Sequence, residues 1–494
     1  MDNINTEGSA ESEDEALDRA AAEAAANPTP SRSASPVLDK IVLSKGDPMA
    51  SARKFKEICR KHNAIFVHWR EMFYRWNGRM YREINDKEMN KQAWNFLDAA
   101  HVMTIDKDGI VGYEKYKPMN ANVMNFVNAL SATISISDNV DAPDWIIAPP
   151  GGWQTRDIIA VRNGLYHIPT QQLIPHDANF FCLGVSDIDV DVRAPAPTKW
   201  LKFLSEALPE DQQSIDTLQE IFGYLLSTDT SQQKIFALNG VPRAGKGTIL
   251  RVLRLLAGES NCASTSIKAL CAQFGIAGLV GKKIGILPDA SVGSKTDSVA
   301  GAETMKAISG EDNVPVDRKF KSTLHITLPT RLVIASNELL SMIDNSGALA
   351  SRLILIEFRV SMLGKEDTAL FDKLKAESAG IFNWAMEGRK RLTERGHFVQ
   401  PDSSKESLDE VAGLGSPVIS FVRDRCDLRA GAETRTSILY SAYKDWCSNN
   451  GLHPTSAAWF GRSLRGAFKD IRPIKPLSDD GKQYPSYLGI EIKA

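Results

Sequence analysis

The sequence predicts an α/β protein: a P-loop core, preceded by an α-rich N-terminal domain and followed by a C-terminal winged helix. Three observations carry that expectation. Residues 236–248, FALNGVPRAGKGT, run a short apolar strand into a glycine-rich loop and on into a helix. Runs at 282–287 (KKIGIL), 331–335 (RLVIA) and 353–358 (LILIEF) are short, apolar and β-branched, and they alternate with helical patterns, as a sheet covered on both faces requires. Near the C-terminus, helical patterns at 417–426, 437–449 and 456–470 precede two short strands, 472–475 and 487–492, joined by PLSDDGKQYPS.

At 494 residues the chain exceeds one ordinary domain, so about two to four are expected. Composition sets further bounds. The apolar content of 43% and charged content of 24% are those of a globular protein, and the net charge of −2 supplies no global pull toward nucleic acid. Any such contact must come from local patches. The six cysteines form no CxxC pair, which argues against a zinc site and for thiols in a reducing compartment. No apolar run reaches membrane-spanning length and the acidic start is not a signal peptide, so the expected location is cytoplasmic, with no membrane partner.

Taken in order, residues 1–38 are acidic, then alanine-rich, then NPTPSRSASP, and are expected to be disordered. An N-terminal domain follows over 39–197. Its early part, 53–82, interleaves basic residues with aromatics such as Trp69, Phe73, Tyr74 and Trp76. Such a stretch can track phosphates and stack on bases. The preferred reading is a basic helix followed by a hairpin that turns at Asn77-Gly78, with the rings in the core. Helices are expected within 198–230, leading into a P-loop domain over 198–400, and 401–494 forms the winged helix.

In the loop itself, Gly240, Val241, Pro242, Arg243, Ala244, Gly245, Lys246, Gly247 and Thr248 fit a nucleotide cradle. Glycines let backbone N–H groups curl round phosphate oxygens, Lys246 sets its charge against the β- and γ-phosphates, and the following helix (248–256) aims its positive end at them. Gly247 stands where a serine or threonine normally supplies a magnesium ligand. Thr248 takes that role if the helix starts slightly later; otherwise it only caps the helix.

Hydrolysis also needs an acid at a neighbouring strand end and a group that senses the γ-phosphate. Asp289, closing KKIGILPD, is the natural acid and a second metal ligand. Asn337, after RLVIAS, can hydrogen-bond water and phosphate together. Arg352 opens the last strand; alone it reads as a surface arginine, whereas in an oligomer it can reach a neighbour's γ-phosphate. Between them, NVPVDRKFKSTLHITLP reads as a hairpin carrying Arg318, Lys319, Lys321 and His325. In the tail, Arg462, Arg465 and Lys469 share one face of the helix 456–470, a spacing that suits phosphates or a major groove.

The order of these parts resembles the superfamily III (AAA+) helicase domain of phage and plasmid primases and of poxvirus-type primase-helicases. NGLYHI, LIPHDANFF, KWLKFL and LQEIFGYLLSTDTSQQK are similar to the region ahead of that ATPase, and ISGEDNVPVDRK, RLVIASNELL, DNSGALASRLILIEF and ESAGIFNWAMEG to its later motifs. The resemblance spans about residues 45–494 and includes a winged helix with SILYSAYKDWCSNNG and AAWFGRSLR. It implies that Lys246 and Thr248 are the Walker A groups, Asp289 the Walker B acid, Asn337 sensor 1 and Arg352 a trans arginine finger. Arg318 and Lys319 would be DNA-contacting, with Lys321 beside them. Two departures stand out: AGKGT replaces the usual NGKST, and Asp289 has no adjacent second carboxylate.

The expected function is therefore an ATP- and Mg²⁺-dependent ring helicase or translocase for phage, prophage or plasmid replication. Single-stranded or forked DNA, a homo-oligomer (a hexamer by resemblance) and phage or host replication proteins are its expected partners. With no zinc-binding segment and no room for a primase catalytic domain, priming is not expected. A second reading is an ATP-gated DNA-binding regulator or an inactive prophage remnant. A third, a small-molecule phosphotransferase, rests only on the likeness of GVPRAGKGT to nucleoside monophosphate kinase loops. Those lie near the N-terminus.

Overall fold

A computed structural model describes residues 40–288, 295–319, 321–337, 349–408, 417–477 and 481–493. The N-terminal tail and Asp289 lie outside the described residues. The chain divides into two compact units: Met1–Phe55 with Asn90–Leu130, and Lys56–Met89 with Ser131–Ala494.

In the smaller unit, Phe55, Phe96 and Phe126 meet edge-on or tilted at centroid separations of 5.0–5.6 Å, the packing that aromatic quadrupoles favour. A hairpin of strands His101–Ile105 and Val111–Lys115 lies beside them in sequence, turned by Asp106, whose side chain accepts from the Asp108 and Ile110 amides.

The larger unit is organised by a parallel sheet. Across it the order is Cys262–Ser264, Ile284–Leu287, Arg331–Ser336, Ile235–Gly240, Leu353–Phe358. The three predicted strand runs fall in this sheet because buried parallel strands need apolar residues on both faces. Phe236, Leu238, Val333, Ala335, Ile354 and Ile356 point to one face, packed with the helices Gln212–Leu226, Lys246–Ala257 and Ser378–Arg395. Ile235, Ala237, Leu332, Ile334, Leu353 and Leu355 point to the other, where helix Lys295–Ser309 contributes Ala302, Met305 and Ile308. Fully burying each large side chain contributes about 1.5–3 kcal/mol.

The region ahead of the sheet departs from the α-rich expectation. It carries three helices, but also strands Phe66–Trp69, Met72–Trp76 and Tyr81–Ile84 in one sheet and Ile158–Val161, Gly164–His167 and Gln172–Ile174 in another. The hairpin expected at Asn77-Gly78 is present, as Met72–Trp76 paired with Tyr81–Ile84; the other strands are too short for periodicity to reveal. The aromatics of 53–82 are core: Trp69, Tyr74 and Tyr81 pack round Phe181, 5.1–5.7 Å away. Two turns, not one, link these strands. The first is Arg70-Glu71, with both residues in the left-handed region (φ 49° and 65°).

At the C-terminal end, helices Pro417–Arg425, Thr436–Asn449 and Ala457–Ala467 pack on a three-stranded sheet. Its strand Cys426–Arg435, paired with Ser486–Ile492, was not foreseen. Helix 457–467 ends before Lys469, so Arg462 and Arg465 share its exposed side without that lysine, while Phe460 and Leu464 are buried.

Candidate functional site

Strand Ile235–Gly240 delivers the loop to the C-terminal edge of the sheet. Asn239 sits opposite Ser336 on one side and Glu357 on the other, and Gly240 opposite Phe358. Gly240 has φ +144°, and a Cβ there would lie 2.0 Å from the Phe358 carbonyl, so only glycine fits. The segment after Phe358 then laces the loop from outside. Val241 N–H donates to Phe358 O (3.0 Å), Ser361 Oγ to Pro242 O (3.0 Å) and Met362 N–H to Arg243 O (2.9 Å).

Gly245, at φ +87°, rests on the Phe203 ring, 2.8 Å from where its Cβ would be. Helix Lys246–Ala257 starts immediately after it, and no side chain caps that start. The first-turn N–H groups therefore remain for an anion. The helix begins earlier than the sequence reading placed it. Thr248 is consequently its third residue, one helical step round from Gly247, and it lines the same cavity as the loop. At Gly247 an added Cβ meets nothing within 4 Å, so packing does not demand glycine there.

Lys246 is 8% exposed, and its amine donates to Gly240 O (2.6 Å), Val241 O (2.9 Å) and Asn337 Oδ1 (2.9 Å). Burial holds its pKa below the ordinary lysine value. Lysine and asparagine, read separately in the sequence, are thus brought into direct contact. Beside them opens a cavity of about 920 Å³, lined by seven Lys or Arg side chains against three acidic ones. Its size suits a nucleotide and its charge a polyphosphate. Pro288, the last described residue before Asp289, also lines it.

Several lining residues escaped the sequence reading. Lys199, Lys202, Phe203 and Glu206 come from helix Thr198–Ala207, and Leu370 and Lys373 from helix Leu370–Ala376. The polar spacing of KWLKFLSE was the available signal, and it looks like any solvated helix face.

Arg352 is not brought to this cavity. It closes the short turn Ala350–Arg352, ahead of Leu353, which pairs with Ile235 at the opposite end of the strands. Six residue steps along the strands put it about 20 Å from the Gly240 end. Lys234 shares that end, its amine donating to Ser351 O at 2.7 Å.

The foreseen hairpin is present, with Asn313–Val316 paired to Leu324–Thr327. Its tip contacts the Arg70-Glu71 turn of the same unit. Arg318 Nη1 donates to Arg70 O (2.7 Å), and Lys321 Nζ donates to Glu71 O (2.7 Å) and touches Met72 Sδ. Lys319 and His325 are exposed. Burial first, and then the nearby Lys321 ammonium, holds the His68 imidazole below its usual pKa.

Family models match three segments of this chain. Residues 52–209 match the family model described as D5 N terminal like, and residues 416–489 the model described as Poxvirus D5 protein-like. Residues 238–352, the P-loop segment, match a family of unknown function. Over 92 residues the chain is 29% identical to the DNA-binding protein RFX2 of Rattus norvegicus and 28% identical to the DNA-binding protein RFX7 of Xenopus laevis. These alignments cover 19% of this chain, and only 13% and 6% of the two relatives. Two apo structures of the NrS-1 C-terminal region align over 90% of this chain and 99% of theirs, at 10% and 11% identity with TM-scores of 0.49 and 0.47. Among the described residues, no helix is long and apolar enough to cross a membrane.

Proposed function

The chain belongs to the phage primase-helicase family, and from that premise we propose that it is an ATP-driven DNA helicase or translocase that works as a ring. The observation that carries this reading is Lys246, bonded to Asn337 at the wall of a cation-rich, nucleotide-sized cavity.

In this reading the core is an AAA+ ATPase of superfamily III, bounded at about 198–400, and residues 401–494 form a winged helix. ATP enters phosphate-first at the helix start. Its β- and γ-oxygens displace Gly240 O and Val241 O from the Lys246 amine, and the first-turn N–H groups donate to the remaining phosphate oxygens. Asn337, its Oδ1 still accepting from Lys246, then orients the attacking water against the γ-phosphate through its amide N–H. Thr248 and Asp289 would hold Mg²⁺, which screens the phosphate charge. The part given to Thr248 is supported by its place at the cavity wall.

Arg352, about 20 Å up the strand from its own loop, serves the site of a neighbouring subunit, and this favours a homo-oligomer, as a hexamer. Lys319 and the other hairpin cations would grip single-stranded DNA in the ring, and Arg462 with Arg465 would contact duplex phosphates. The likeness to DNA-binding proteins over 92 residues supports a DNA partner. The chain would act without priming, in the cytoplasm of a bacterial host.

Steady-state ATP turnover, with and without single-stranded DNA, tests the proposal. The expected result is turnover stimulated by DNA, and lost by about 100-fold or more in Lys246→Ala. Turnover indifferent to DNA would favour the ATP-gated regulator instead.

A further inference from the structure

The hairpin 313–327 and the turn Arg70-Glu71 form a contact that no part of the proposed cycle uses. A two-residue hairpin turn of type I′ needs left-handed backbone at both positions, which asparagine and glycine supply most readily. Here arginine and glutamate occupy them, at φ 49° and 65°. The strained shape is held from behind: Arg70 stacks on Trp69 at 4.3 Å, donates to Asp138 O at 3.3 Å and pairs with Asp141.

Held this way, the turn presents two carbonyls and a carboxylate to the hairpin tip. Arg318 takes Arg70 O (2.7 Å) and lies 3.5 Å from the Glu71 carboxylate, while its remaining donors take Ser322 O (3.1 and 3.4 Å). Lys321 takes Glu71 O (2.7 Å). The oxygens of the turn thus satisfy the same donors that a phosphodiester would need. As a result the Arg318 side chain is only 14% exposed.

We infer that the Arg70-Glu71 turn is an autoinhibitory latch, occupying the cations of the hairpin so that single-stranded DNA must displace it to bind. This inference rests on the reading of the hairpin as a DNA contact. A latch closed about nine-tenths of the time lowers apparent affinity about tenfold, and opening it restores that factor.

The test is affinity of the full chain for fluorescent oligo-dT, read by anisotropy at fixed salt. Arg70→Ala removes the brace to Trp69, Asp138 and Asp141 and leaves alanine in a left-handed backbone that it disfavours, so both turn carbonyls are released from the hairpin. It is expected to tighten binding several-fold to tenfold. The same substitution in an Arg318→Ala/Lys321→Ala background is expected to change nothing, and Arg82→Ala, an equal charge change elsewhere, is expected not to tighten binding. Acetylation of Lys321 without DNA, followed by mass spectrometry, should rise in Arg70→Ala.

If Arg70→Ala leaves affinity unchanged while Arg318→Ala/Lys321→Ala weakens it, the hairpin binds DNA and the latch alone is wrong. Should Arg318→Ala/Lys321→Ala bind oligo-dT as tightly as the unaltered chain, the hairpin reading fails and the latch with it.

Discussion

Strand Arg331–Ser336 has a buried cation at its start and, one residue past its end, an amide that holds a second cation; their surroundings treat the two oppositely. Arg331 is 4% exposed and donates to Leu225 O, Ser227 O and Pro329 O at 2.5–3.0 Å. Lys246, held by Asn337, is also satisfied by two backbone carbonyls. Burial and carbonyl partners are therefore common to both and cannot mark a site. The difference is access: a cavity meets Lys246, so its carbonyls can be exchanged for phosphate oxygens, whereas the partners of Arg331 are permanent. A cation that can change partners is a binding group; one that cannot is a strut.

This comparison can be broken most directly at the strut. Arg331→Met should strand the carbonyls of Leu225 and Ser227, at about 1–3 kcal/mol each, and lower the unfolding midpoint sharply. Nucleotide affinity of the remaining folded protein should hold, as measured by fluorescent-nucleotide titration. A large loss of affinity per folded molecule would mean that the two ends are not independent.

At the other end, Asn337→Ala should leave stability within about 0.5 kcal/mol. Turnover, by contrast, should fall about tenfold or more, with nucleotide affinity changed by less than that. Equal losses in affinity and turnover would make Asn337 a holder of Lys246 rather than an orienting group.

The smallest effect concerns Lys283, also 4% exposed, whose pKa burial lowers from the ordinary 10.5 to about 8. Between those values the unfolded chain holds the extra proton, so this group makes stability rise with pH from about 8 toward 10.5. Buried Tyr74, Tyr81 and Tyr224 have raised pKa values and act in the opposite sense above the ordinary tyrosine value. The thiols of Cys59, Cys182, Cys262 and Cys426, pushed up by burial, also act in the opposite sense above about 9, so the lysine is read as the difference between the unaltered chain and a variant from about pH 8 to 10. Urea midpoints of Lys283→Met should rise less, or fall more, with pH across that range than those of the unaltered chain; identical slopes would assign the effect elsewhere.

How much of this was legible varied with the physics of each part. The central strands were readable because a sheet buried on both faces writes continuous β-branched runs, and the glycine loop because phosphate cradles restrict residue type. Strand Cys426–Arg435 was not, since most of its residues face solvent and its register shifts between Leu428 and Glu433. The Arg70-Glu71 turn gave no signal either: side-chain contacts hold its backbone where composition would not place it. Phe203 and Lys199 were hidden for a third reason. Membership of a cavity depends on which helix packs over the loop, and no local pattern records that.

One feature of the loop bears on its history. Because nothing stands within 4 Å of a Cβ at Gly247, that position is sterically silent, unlike Gly240 and Gly245 on either side of the cradle. Glycine and serine codons can differ by a single base, so a lineage could gain or lose the hydroxyl there in one step without disturbing the backbone. The departure of AGKGT from the usual loop is thus a position open to drift inside a frame that is not.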